Sequence, residues 1–494
     1  MQRQACLSQL SRTGPHSTIL VLSSLLIVSL AIALRLPSLY QPINRDSSAY
    51  ATIGTHITHG DFPYRDLFDH KQPLIYTVFW VLAVVAPRSN LAIQLAAAVI
   101  SGIAGVTVFI LLGRSIGPKR AGLASVLIVS LGASRFVEGI DLNTEHLLLP
   151  IACAAVLLPL SLGKQQSTRV VALAGVLGGF AILAKAVAIM ILPSTIFVLA
   201  LNRGWRSRAF RLALSIYLAG VALPILVLLV LYALNGGLSD LIYANITYNS
   251  QYIALVPFPS LKRLIDFGGY GINGLLALAS LIAVLRLLRT RGKDPLTWTL
   301  VIWLVGSMIG AKLGRRDFPH YFAPILPPAI SLACLPVPLD EPSLRRGLRV
   351  ITVALLALVS MPFLLDVAET FGQNPDTLAT RLYGSQAITW TKQEEVGAWL
   401  RGNATENDAL FVSGAEPGFY WQSGLKPATR YLYDTLARIQ ADFGYRVSEE
   451  LLKKPPRFIV LTGPKTPAYL TTLVPLYRMA AEFGSVRILE LPRG

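Results

Sequence analysis

Asp46 lies four residues before Tyr50 in the run Ile43-Asn44-Arg45-Asp46-Ser47-Ser48-Ala49-Tyr50. In a helix the two side chains would share one face. A carboxylate placed there can take the proton of an attacking hydroxyl, which is general-base chemistry. Asp is also a favoured helix cap, so Asp46 could cap, catalyse, or do both. The run Tyr64-Arg65-Asp66-Leu67-Phe68-Asp69-His70-Lys71-Gln72-Pro73 follows closely. Its Lys71 suits a lipid phosphate, or alternatively snorkels to headgroups. Asp66, Asp69 and His70 can contact a substrate. Asp69 and His70 are also metal donors by type, but no third donor stands at ligand spacing, so a divalent cation is left open.

Three further groups offer complementary chemistry. Glu138, Asp141, Asn143, Glu145 and His146 fall within nine residues. Glu145 opens an apolar stretch, where an ionisable side chain is costly and points to function. Glu138 reads as an ordinary solvated loop residue. Arg315 and Arg316 precede His320 and Tyr321; a guanidinium fork fits a phosphate, with anionic headgroups as the alternative. Tyr243, Asn245, Tyr248, Asn249, Gln251 and Tyr252 could face a sugar or anchor the chain at an interface.

The elements that must position these groups are membrane spans. The chain has 494 residues, 53% of them hydrophobic and 14% charged, against about 25% charged in ordinary soluble domains. Apolar stretches occur near 18–37, 91–112, 121–136, 144–162, 170–184, 186–201, 212–233, 271–289, 296–312, 321–338 and 350–366. A span needs roughly 20 residues, so a polytopic helical membrane protein is expected. The run 73–86 would reach only about 21 Å as a helix and is expected to lie at the membrane surface. Lys185 falls at a tight turn between two spans.

Charge sets the expected orientation. The formal charge is +17, but residues 367–494 are nearly balanced, with 14 Lys/Arg and 13 Asp/Glu. The excess therefore lies among the spans, which argues against a nucleic-acid partner. With 1–17 cytoplasmic, the segments 1–17, 113–120, 163–169, 202–211, 286–295 and 339–349 hold 18 Lys/Arg and 3 Asp/Glu. This satisfies the positive-inside rule. Loops 38–90, 135–146, 234–270 and 313–320 then face outward, as does the tail 367–494. The tail alternates helical patterns near 392–401 and 435–453 with strand-like runs at 409–413, 457–461 and 486–490. A small extracytoplasmic α/β domain is expected. Cys6, Cys153 and Cys334 show no pairing or ligand spacing.

In this order, the motifs resemble those of the integral-membrane glycosyltransferases of the C superfamily (the GT-C fold). The branch is that of protein O-mannosyltransferases and lipid A aminoarabinose transferases. The resemblance rests on Arg45-Asp46 with Tyr50, Gly60 to Asp66, and His70-Lys71-Gln72-Pro73-Leu74. It continues through Leu142-Asn143-Thr144-Glu145, Lys185, Arg315-Arg316 with His320-Tyr321, and Pro324 with Pro327-Pro328. It covers about residues 18–366. The family often has Asp-Glu in place of Asp46-Ser47 and Lys-Pro-Pro in place of Lys71-Gln72-Pro73.

The resemblance implies a multi-pass enzyme of the cell membrane, inner or plasma, about eleven spans with the small α/β domain appended. The donor would be a sugar on a polyprenyl phosphate, the acceptor an extracytoplasmic lipid, glycan or protein, and the outcome inversion. Asp46 would be the base and Glu145 a second acid or orienting group. Lys71, Lys185, Arg315 and Arg316 would hold the phosphate. Tyr50, Asp66, Asp69, His70, Asn143, His320 and Tyr321 would contact substrate. A transporter or lipid flippase without covalent chemistry is the competing class, although transporters usually carry repeated halves and none is visible here.

Overall fold

The structure is a computed structural model that describes residues 15–434, 439 and 442–493. Most of the expected cytoplasmic segment 1–17 lies outside the described residues. Helices form at every apolar stretch, beginning with Pro15–Ala33 and ending with Pro342–Ala368. Among the described residues, seven helices are long and apolar enough to cross a bilayer, including Asn90–Ile116, Arg208–Leu234 and Pro342–Ala368. The rest are shorter, such as Thr168–Ala184, or broken, as where a 3₁₀ turn at Pro319–Ile325 leads into Leu326–Ala333.

Serines just ahead of the spans start several of them. The Ser89, Ser167 and Ser207 hydroxyls accept from the amides of Ala92, Val170 and Phe210, satisfying donors that helix geometry leaves free. Small residues then let spans close on one another. A Cβ on Gly175 would stand 2.2 Å from the Tyr217 carbonyl oxygen, and one on Gly220 would stand 2.6 Å from that of Ala172. Backbone contact of this kind is the usual glue between helices that meet lipid on their outer faces.

The run expected at the membrane surface is the helix Leu74–Val85. Its 12 residues reach about 18 Å, well short of a hydrocarbon core of about 30 Å. It packs on the helix Arg45–Ile57, where a Cβ on Gly54 would stand 2.5 Å from the Phe79 carbonyl carbon. Val81, Val84 and Val85 on its other side are exposed.

The tail carries one five-stranded sheet: β1 (Ala409–Val412), β2 (Lys426–Pro427), β3 (Phe458–Leu461), β4 (Arg478–Phe483) and β5 (Val486–Glu490). The order is β2-β1-β3-β5-β4, parallel across β2-β1-β3 and antiparallel across β3-β5-β4. Helices Gln393–Asn403 and Phe443–Lys453 accompany it. Within the expected helix 435–453, positions 435–438 and 440–441 lie outside the described residues.

The tail is joined closely to the segment 38–73. The Phe68 amide donates to the Arg430 carbonyl at 2.7 Å, and Phe68 forms a parallel bridge with Tyr431. Arg45 pairs with Glu416 at 3.2 Å. A second tie uses Asp366, which accepts from the Ser134 hydroxyl at 2.7 Å and the Arg135 amide at 2.9 Å. At the same end Arg35, only 2% exposed, donates to the carbonyls of Gly132 and Gly139, both at 2.8 Å. These contacts fix the loop that carries Glu138 to Glu145.

Candidate active site

The helix Arg45–Ile57 begins at Asn44, whose side chain accepts from the Ser47 amide at 2.8 Å. The cap is therefore Asn44, and Asp46 sits free in the first turn, where the helix dipole favours a carboxylate. Its Oδ2 meets the Lys71 ammonium at 2.8 Å. Burial pushes the Asp46 carboxyl up, but Lys71, with His320 and His70, more than reverses this and holds it at about 2. Burial works against the Lys71 charge too, and Asp46 restores it, leaving the ammonium well above its ordinary range.

Two cavities meet at this pair. The first, about 330 Å³, runs between apolar walls that include Leu148, Val187, Ile191 and Ala311, with Lys71, Lys185 and Glu145 at its polar end. The second, about 570 Å³, is lined by Asp46, Glu138, Asp141 and Arg45, among others, together with Tyr383, Trp390 and Tyr433 of the tail. His70, Lys71, Tyr252 and Tyr321 line both. Lys71 thus stands at the boundary, facing an apolar channel on one side and a polar basin on the other.

A second charged chain runs alongside. Lys185 Nζ lies 2.6 Å from Glu145 Oε1 and 4.7 Å from the centre of the Tyr321 ring. His320 Nδ1 meets Glu138 Oε2 at 2.6 Å, and its Nε2 is 3.8 Å from Glu145 Oε1. Phe318 stacks on the imidazole with an interplanar angle of 8°. Arg316 lies over the Tyr252 ring, 4.0 Å from its centre, and its buried Nε has no partner among the described residues.

Other expected site residues hold the walls. The Tyr50 hydroxyl donates to Asn143 Oδ1 at 3.0 Å, which ties the Asp46 helix to the start of the Glu145 helix. Asp69 is fully buried and accepts from Tyr76 at 2.9 Å and from Tyr433. It anchors the loop from below the cavity and lines neither cavity. The His70 ring lies against Tyr248 and Tyr252, with centroids 5.1 and 5.3 Å away.

Of the expected residues, Tyr50, Asp66, Asp69, Asn143, Arg315 and Arg316 line neither cavity, and Asp66 and Arg315 are turned to other partners altogether. Asp66 pairs with Arg65 at 2.7 Å and accepts from the Phe62 amide, so it shapes its own turn. Arg315 donates to the Val256 carbonyl at 3.2 Å and lies near Phe258. Glu138, read from sequence as an ordinary solvated residue, instead holds His320 across 182 positions. Asp141 beside it is pushed up to about 8 by burial and by Glu138. Tyr383, Trp390 and Tyr433 gave no sequence signal beyond their aromaticity. Among the described residues no group of three or more His, Cys, Asp or Glu side chains is arranged to hold a metal ion.

In sequence, residues 70–233 match the family described as dolichyl-phosphate-mannose-protein mannosyltransferase. No curated protein matches the chain. In structure the chain is similar to ArnT from Cupriavidus metallidurans bound to undecaprenyl phosphate. The TM-score is 0.62 at 14% identity, over 96% of this chain and 97% of that one. It is also similar to the oligosaccharyltransferase AglB from Archaeoglobus fulgidus in complex with an inhibitory peptide and a dolichol-phosphate. That TM-score is 0.51 at 13% identity, over 90% of this chain and 69% of the other. A third likeness is to the arabinofuranosyltransferase AftD from Mycobacteria, with TM-score 0.51 and 12% identity, over 97% of this chain and 42% of that one. The chain has the fold of ArnT, the fold that the motifs implied.

Proposed function

We propose that this protein moves a sugar from a polyprenyl-phosphate donor to a hydroxyl of an extracytoplasmic acceptor, with inversion at the anomeric carbon. The observation that carries this reading is the place of Lys71: bound to Asp46, on the boundary between an apolar channel and a polar basin. The likeness to structures holding undecaprenyl phosphate and dolichol-phosphate supports the class of donor. The basic bias of the segments at the other end of the bundle supports an outward-facing site in the cell membrane.

In this reading the polyprenyl chain occupies the apolar channel, and its phosphate is met by Lys71 and Lys185, with Arg316 near Tyr252. The acceptor enters from the polar basin, and its oxygen attacks the anomeric carbon from the face opposite the phosphate. The new C–O bond forms as the bond from the anomeric carbon to the phosphate oxygen breaks. The acceptor proton passes to Asp46, and the electron pair leaves on the polyprenyl phosphate. A phosphate needs little protonation to depart, so fixed cations where its charge develops do the main stabilising. A late, weakly demanding proton transfer suits a carboxylate as acidic as Asp46. Glu145 holds Lys185, and Glu138 holds His320, so both groups orient the phosphate side of the reaction. Acceptor identity stays at the level of lipid, glycan or protein, but aromatic rings beside carboxylates suit a sugar-bearing one.

Purified protein in detergent, given a labelled polyprenyl-phosphate sugar and envelope extract, should release polyprenyl phosphate and pass label to a new product. Donor that binds and returns chemically unchanged would instead identify a carrier and overturn the reading.

A further inference from the structure

At the other end of the bundle lies a cavity of about 400 Å³ that the catalytic reading does not use. It opens between the helices Pro118–Leu131 and Pro342–Ala368, beside the end of Leu326–Ala333. Both long walls run from this cavity toward the catalytic end, where Arg135, just past the first helix, pairs with Asp366 near the finish of the second at 2.7 Å. The second helix has 27 residues, about 40 Å of rise, so the two regions are far apart.

The lining has two parts. Leu123, Cys334, Leu335, Val353 and Leu356 make an apolar floor. Lys119, Arg120, Arg345 and Arg349 stand around it. Arg120 is half-buried, and Arg345 donates to the Leu339 carbonyl at 3.0 Å. Among the described residues none of the four forms an ion pair with a carboxylate. Positive charge is ordinary in loops at this end; here Lys119, Arg345 and Arg349 are exposed around the rim and Arg120 is half-buried, beside the exposed apolar side chains of Leu123 and Val353.

We infer that this cavity binds one anionic glycerophospholipid of the leaflet opposite the catalytic site, phosphate among the arginines and acyl chain along the apolar floor. The charge selects the headgroup and the floor selects a lipid over a free ion. Basic pockets between membrane helices are suited to such headgroups. The site makes no contact with the donor or acceptor cavities, so it stands whether or not the proposed transfer does.

Full-length protein stripped of lipid in nonionic detergent is titrated with phosphatidylglycerol or phosphatidylcholine, and bound lipid is counted by native mass spectrometry. Phosphatidylglycerol should bind at least about tenfold more tightly. Arg120→Gln with Arg349→Gln should weaken it roughly 30-fold, at roughly fivefold for each charge removed. Millimolar inorganic phosphate should not displace it. Equal binding of the two lipids, displacement by phosphate alone, or a double variant that holds phosphatidylglycerol as tightly as the parent would each overturn the assignment.

Discussion

Asp46→Asn separates two effects that the Asp46–Lys71 contact combines. At 2.8 Å the gross attraction is about 6 kcal/mol at an effective dielectric of about 20. The carboxylate side chain is 32% exposed and the lysine 12%, so desolvation and solvent leave a net of roughly 1–2 kcal/mol. In the proposed reaction a donor phosphate must draw Lys71 away from Asp46, which would lower its affinity by that net. Replacing the carboxylate with an amide removes the competitor, so donor affinity should rise roughly five- to thirtyfold. Turnover should fall by about 10² to 10⁴, the usual contribution of a positioned general base. Lys71→Met should do the reverse to binding and weaken it. Donor Kd is measured on purified protein with labelled polyprenyl-phosphate sugar, and turnover is followed as label transferred. Turnover of Asp46→Asn within tenfold of the parent would remove Asp46 as base. Loss of donor affinity to the level of Lys71→Met would show instead that the carboxylate helps to bind the donor.

Other perturbations test the remaining walls. Glu138→Gln should lower transfer about 10- to 100-fold with the thermal midpoint unchanged, because His320 loses a charge-assisted partner; unchanged transfer would return Glu138 to the solvated loop. Trp390→Ala should raise the acceptor KM about tenfold, the scale of one aromatic contact, while donor Kd stays within about twofold. Asp141 is held at about 8, against about 3.9 in an unfolded chain. Between those values the folded state carries the extra proton, so the stabilisation is complete below pH about 4 and is lost as pH rises toward about 8. The slope is at most about 1.4 kcal/mol per pH unit. Asp141→Asn should flatten it in thermal unfolding.

The long apolar helices were legible because hydrophobic length is a local property, and the run at 73–86 forms a helix of only 12 residues. The Asp46–Lys71 neighbourhood was legible because both residues flank the same pair of helices. The role of Asp46 stayed open between cap and free carboxylate because Asn44, two residues earlier, caps equally well, and only backbone geometry decides between them. Arg315 and Arg316 are neighbours of the same type, yet a left-handed turn at Arg315, with φ of 52°, sends it to the Val256 carbonyl. Nothing local distinguishes the two. Glu138 and the aromatic residues of the tail were missed for a different reason. Their partners lie 182 positions away for Glu138 and 364 for Tyr433, and a single sequence does not announce such pairings.

The hydroxyl of Tyr433 on the buried Asp69 has a bearing on biogenesis. Asp69 neighbours His70 and Lys71, so the loop that carries Lys71 is braced by a side chain translated 364 codons later. A nascent chain with every helix up to Pro342–Ala368 already inserted would still lack that support until Tyr433 had folded back onto the loop.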